Sequence, residues 1–166
     1  MPQHHETNWS FAATSAASSD ACSRAEGWAR DTGLPEAQIL RLVLVIEELF
    51  TNTIKHGYRE ESNRPVHIAL GHCDGLAELD YRDQAPPFDP IHTVETLPED
   101  IPPTQVGGMG LRLIQTLGCN ASYTNEGGWN IVRLAVGAKA TSPQMESLIN
   151  RNKQKKQHRQ KNPKQD

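Results

Sequence analysis

Pro35-Glu-Ala-Gln-Ile39-Leu-Arg-Leu42-Val43-Leu-Val-Ile46-Glu47-Glu48-Leu49-Phe50-Thr-Asn52-Thr-Ile54-Lys55-His56-Gly57 reads as the clearest helix of the chain. Ile39, Leu42, Val43, Ile46, Leu49, Phe50 and Ile54 recur at helical spacing. Pro35 suits a first helical position, and Gly57 is the expected stop. Residues four apart share a helix face, so Glu48, Asn52 and His56 line one stripe beside the apolar side. A solvent-facing stripe would explain Glu47-Glu48 taken alone. Polar groups this near a core-facing surface otherwise need a partner, because buried polar atoms are costly unless paired. The Asn52 amide oxygen is a suitable hard ligand for Mg²⁺, which takes one or two protein oxygens together with waters and phosphates. A carboxylate one turn away can orient or deprotonate a nucleophile. Lys55, next to this face, has two readings: a phosphate contact, or a cation complementing the helix dipole.

Working outward, Trp9 to Ala13 predicts a first strand, and Ser18-Ser-Asp20 supplies cap candidates for an Ala-rich helix ending at Gly33. Val66 to Gly71 and Leu76 to Arg82 form strand-like runs around Cys73-Asp-Gly75, a hairpin signal. Asn120 to Asn125 and Trp129 to Val136 predict a second hairpin across Glu126-Gly-Gly128. Between the hairpins lies a long Pro-rich stretch from Pro86 to Val106, then a helix expected over residues 109–117.

Two motifs flank that stretch. Asp83-Gln-Ala85-Pro-Pro-Phe88-Asp-Pro90 is an acidic turn after a strand. Asp83 can be a turn former, or a carboxylate accepting a hydrogen bond from an adenine amino group. Gly107-Gly108-Met109-Gly110-Leu111 is a glycine-rich loop opening an apolar helix. Such a loop lets backbone approach a phosphate, and the helix start favours negative charge.

Composition sets the frame. At 166 residues, with 36% hydrophobic and 22% charged side chains, the chain fits one globular domain with its own core. Aromatics are 5%, so the core should be mainly aliphatic. No apolar run reaches membrane-helix length, and the first residues lack the pattern of a secretory signal. Cys22, Cys73 and Cys119 are widely spaced without metal-ligand spacing; they read as buried small apolar residues in a reducing cytoplasm. The net charge of −3 is asymmetric: residues 151–166 carry seven basic side chains against Asp166, a local +6, leaving −9 on the rest. No aromatic residue interrupts that basic tail, so a solvated end is favoured over a nucleic-acid arm.

Taken in order, the three motifs resemble those of the Bergerat-fold ATPases, the superfamily of gyrase, histidine kinases and mismatch-repair ATPases. Within it they are most similar to the RsbW-type anti-sigma-factor serine kinases. The resemblance spans roughly residues 8–136 and includes Gly128-Trp-Asn130-Ile-Val-Arg-Leu134, similar to the family's last strand. It implies Glu48 as catalytic base and Asn52 as Mg²⁺ ligand. It implies further nucleotide contacts from Lys55, His56, Asp83, Ala85, Phe88, Gly107, Gly108, Met109, Gly110 and Leu111. The segment between Pro90 and Val106 becomes a lid over ATP. Two positions depart from the pattern: Ala85 replaces the glycine usual in the adenine box, and Val106 stands where sporulation-type kinases have a phosphate-reaching arginine.

The expected fold is α+β, a two-layer sandwich with a mixed, mostly antiparallel sheet and helices on one face. Residues 8–140 are expected to form the ATP-binding domain, and residues 141–166 a basic, disordered tail. The implied function is an ATP- and Mg²⁺-dependent anti-sigma factor that phosphorylates a serine of a STAS-type antagonist, with a sigma factor and a homodimer as further partners. Two alternatives stand beside it. One is a non-catalytic, nucleotide-dependent binding module; the other is a detached ATP-binding domain of a histidine kinase, although no phospho-accepting His helix precedes it.

Overall fold

Two tight turns organise the sheet. Asp74-Gly75 carries φ of 51° and 77°, and Gly127-Gly128 carries 58° and 82°. Positive φ at both central residues is what a two-residue hairpin with naturally twisted strands requires. In the computed structural model, which describes residues 7–92, 114 and 118–137, these turns join β2 (Ser62–Cys73) to β3 (Leu76–Asp83) and β4 (Gly118–Glu126) to β5 (Trp129–Val136). β1 (Thr7–Ala13) completes a five-stranded sheet of order β1-β2-β3-β5-β4, and its pairs are all antiparallel. The expected α+β sandwich is the observed fold.

α1 (Ser15–Asp31) and α2 (Glu36–Asn52) pack on one face of the sheet. That face is apolar at alternate positions: Val66, Ile68 and Leu70 on β2, Ala77, Leu79 and Tyr81 on β3, Val132, Leu134 and Val136 on β5. α2 meets it with Leu42, Val45, Ile46, Leu49 and Phe50, each at most 3% exposed. Each such side chain contributes about 1.5–3 kcal/mol by leaving water. The core is mainly aliphatic, as expected. One edge-to-face series crosses it, Trp9–Phe11–Phe50–Tyr81, with centroids 5.8–6.4 Å apart. Ile114 is buried in the same core.

Three local expectations are corrected. α1 starts earlier than the Ser18–Asp20 caps: Thr14, extended at the end of β1, accepts from the Ala17 N–H, and Glu61 accepts from Ser15 N–H at 2.8 Å. The helix from Pro35 does not run unchanged to Gly57. It is α-helical to Asn52, continues as a π-helical turn over Thr53–Tyr58, and ends at Arg59 with φ of 64°. Of the cysteines, Cys22 is buried against the Val43 carbonyl, but Cys73 is half-exposed because it ends β2 at the hairpin. The helix expected at 109–117 (apart from Ile114), the lid beyond Ile91 and His92, the glycine loop and the tail lie outside the described residues, as does the Cys119 side chain. Among the described residues no helix is long and apolar enough to cross a membrane.

Candidate functional site

The inward side of β3 ends on a carboxylate. Ala77, Leu79 and Tyr81 prepare an apolar face, and Asp83 takes the next inward position at 8% exposure. An ionised carboxylate there must find donors. Its Oδ1 accepts from the Ala85 N–H at 2.8 Å and from Asn130 Nδ2 at 2.9 Å. Its Oδ2 accepts from the Thr53 hydroxyl at 3.0 Å. Thr53 Oγ1 also lies 2.8 Å from the Tyr81 hydroxyl and 3.0 Å from the Leu49 carbonyl. Burial, then the nearby Asp83 charge, holds Tyr81 well above the usual tyrosine pKa, so it remains a neutral hydroxyl. Among the described residues every donor to Asp83 is therefore neutral, and Oδ2 keeps acceptor capacity toward the adjoining cleft.

That cleft is lined by Leu49, Asn52, Thr53 and Gly57 on one side and by Tyr81, Asp83, Ala85, Phe88, Asn130 and Val132 on the other. The π-helical turn shapes it. Thr53 reaches Asp83 by continuing the α-helical spacing of Ile46 and Leu49, and the looser winding that follows sets Gly57 against the loop after β3. A Cβ built on Gly57 would fall 2.6 Å from the Ala85 Cβ. Gly57 is thus required by close approach rather than as a helix stop. The loop is fastened further by Tyr58, whose hydroxyl accepts from the Gln84 N–H at 2.9 Å.

The sequence-derived residues divide accordingly. Asn52, Asp83, Ala85 and Phe88 come together around the cleft, with Phe88 40% exposed at its edge. Asn52 is half-buried at the cleft and, among the described residues, its Nδ2 has no hydrogen-bond partner, so no described side chain or backbone group ties up that end of the amide. Glu48 lies one helical turn before Asn52 and is half-buried. Burial raises its carboxyl pKa, Glu47 adds to the rise, and Lys55 opposes it. Lys55 and His56 are exposed and do not line the cleft; the π-helical turn carries His56 off the regular stripe through Glu48 and Asn52. Gly107, Gly108, Met109, Gly110 and Leu111 fall outside the described residues.

Thr53, Tyr81, Asn130 and Tyr123 were not singled out from sequence. Asn130 had a readable signal: it shares the inward face of β5 with Val132, Leu134 and Val136, where an amide needs a buried partner. Thr53 and Tyr81 carried no comparable sign, since both fit an apolar helix or strand by size alone.

Residues 11–136 match the family described as a histidine kinase-like ATPase domain. The serine-protein kinase RsbW of Bacillus subtilis (strain 168) is 30% identical over 114 residues, covering 61% of this chain and 67% of that protein. The serine-protein kinase RsbW of Bacillus licheniformis is 29% identical over 103 residues, covering 55% of this chain and 60% of that protein. Among solved structures, the RsbU and RsbW domains of Rv1364c from Mycobacterium tuberculosis share the fold, with a TM-score of 0.57 at 19% identity. That likeness covers 80% of this chain but 32% of the other.

Proposed function

Because this chain belongs to the histidine kinase-like ATPase domain family, we propose that it binds ATP with Mg²⁺ in the cleft beside Asp83 and phosphorylates a serine of a STAS-type anti-sigma antagonist. It would thereby act as an anti-sigma factor in a partner-switching pathway, with a sigma factor as its second partner and a homodimer as its working form. The cytoplasm is the compartment this role requires.

The observation that carries this reading is the state of Asp83. It is a buried carboxylate held by neutral donors, with one oxygen still able to accept a hydrogen bond at the edge of a cleft. An adenine amino group is the donor it suits. Phe88, exposed beside it, offers a face for the base. On the α2 side, Asn52 would hold Mg²⁺, and the ion would neutralise charge on the phosphates. Glu48 would accept the proton of the attacking serine hydroxyl. Its raised pKa suits a base working nearer neutrality than a solvated glutamate. Gly107, Gly108, Met109, Gly110 and Leu111 would supply backbone N–H groups to the phosphates, with Lys55 as a nearby cation and Gly57 and Ala85 closing the wall behind the base.

The relatives named as serine-protein kinases support phosphoryl transfer. Val106, in place of an arginine, favours the second reading, in which bound nucleotide sets only shape and partner choice. One experiment separates them. Incubation with labelled ATP, Mg²⁺ and the antagonist encoded beside the gene should place label on an antagonist serine. ATP-dependent association without label transfer would select the binding module.

A further inference from the structure

Asn130 stands directly opposite Asp83 in the β3–β5 register, and Asn125 of β4 stands opposite Asn130. The three form a polar row across the inward face of the sheet, ending at the cleft. Asn130 is 4% exposed. Its Nδ2 donates to Asp83 Oδ1 and to the Ala85 carbonyl, both at 2.9 Å, with the Pro86 carbonyl at 3.4 Å. Its Oδ1 accepts from the Tyr123 hydroxyl at 2.7 Å and from Asn125 Nδ2 at 3.0 Å. The opposite amide orientation would set an oxygen against a carboxylate and two carbonyls, so the network fixes this one. With both ends of the amide committed to protein, Asn130 has nothing to offer a ligand directly.

We propose that Asn130 and Tyr123 form a positioning pair that sets base specificity: Tyr123 holds the Asn130 amide, and Asn130 holds the Asp83 carboxylate in one rotational state and fastens the loop at Ala85 and Pro86, so that the cleft favours a purine with a 6-amino donor over one with a 6-oxo acceptor. A carboxylate can turn about its last torsion to meet either kind of neighbour through water. Here Asn130 pins Oδ1 and Thr53 approaches Oδ2, so an incoming base meets an acceptor that cannot retreat. The hairpin of β4 and β5 thus sets what Asp83 can read. This inference rests on the ATP-site reading above.

The test compares ATP with ITP, whose 6-oxo group and N1–H reverse the hydrogen-bonding sense of the adenine 6-amino group and N1, by titration calorimetry on the full chain with Mg²⁺. Wild-type protein should prefer ATP by roughly 10- to 100-fold, the range of a hydrogen bond to a charged group. In Asn130→Ala the ATP/ITP ratio should collapse to within about threefold, and in Tyr123→Phe it should fall to an intermediate value. A merely structural role would weaken both nucleotides together and leave the ratio unchanged. Tyr123→Phe removes one hydroxyl and keeps the ring, so it decides the matter if Asn130→Ala does not fold. A wild-type ratio retained in the folded variants overturns this inference and leaves the ATP site standing. Failure of wild-type protein to bind ATP removes the ATP-site reading and this inference with it.

Discussion

Asp83 and Asp80 stand three residues apart on β3 and face opposite sides of the sheet. Asp80, on the side away from α1 and α2, pairs with Arg82 on its own strand and with Arg133 directly across on β5. Partial burial raises its pKa, but the hydrogen bonds and charges of the two arginines outweigh that and hold the carboxyl below its usual range. Asp83 faces inward and meets Thr53, Asn130 and the Ala85 N–H. One carboxylate is paired with cations and in contact with water; the other is met by neutral donors among the described residues, beside a cleft. A carboxylate answered by arginine is electrically finished, whereas one held by amides and hydroxyls still has charge to offer a ligand.

Glu48 is a third case, half-buried without a paired cation at hydrogen-bond distance among the described residues, and it gives the largest expected effect. Glu48→Gln should retain ATP affinity while phosphoryl transfer to the antagonist falls by about 10²–10⁴-fold. Since burial raises its pKa, wild-type transfer should climb with pH through a limb above the ordinary glutamate range, as the base loses its proton. Rapid-quench assays across pH on both proteins check this, and an unchanged limb in Glu48→Gln would remove Glu48 from the role.

Next comes the opposite wall of the cleft. Asn52→Ala should lose roughly tenfold or more, about 1.4 kcal/mol, of the ATP affinity gained on adding Mg²⁺, with little change in metal-free binding. Titrations with Mg²⁺ and with EDTA measure the difference. Gly57→Ala tests the close approach to Ala85: overpacking should cost about 1–3 kcal/mol in urea unfolding and weaken ATP binding with it.

The smallest effect belongs to the outer face. Asp80→Asn should cost about 0.2–1 kcal/mol, because its arginine partners are largely exposed. The sign follows from its depressed folded-state pKa: the stabilisation is present above the unfolded aspartate pKa and is lost as pH falls through the lower, folded value. Acid unfolding curves should therefore converge for wild type and Asp80→Asn at low pH and separate as pH rises. Curves separated equally at all pH would contradict the pairing.

Much of this layout was legible in the chain. The period of α2 and the two hairpin turns follow from local chemistry, since Asp74-Gly75 and Gly127-Gly128 can adopt positive φ where few other pairs do. Asn52, Asp83 and Ala85, far apart in the chain, line one cleft. The π-helical turn was hidden, because its pitch answers to long-range contacts, Thr53 with Asp83 and Gly57 with Ala85, rather than to residues 53–58 alone. That shift is why His56 left the stripe a regular helix would have given it. Tyr123 was equally silent: its hydroxyl finds Asn130 only once β4 and β5 pair.

The central claim is that Asp83, and not simply any carboxylate on β3, reads an adenine in the cleft. Calorimetric titration of ATP and Mg²⁺ into wild type, Asp83→Asn and Asp80→Asn tests it on one strand. Asp80→Asn should bind as wild type does. Asp83→Asn, whose amide is half donor, should lose roughly 10- to 100-fold in affinity. Equal affinity for all three proteins, or a loss confined to Asp80→Asn, would contradict the account.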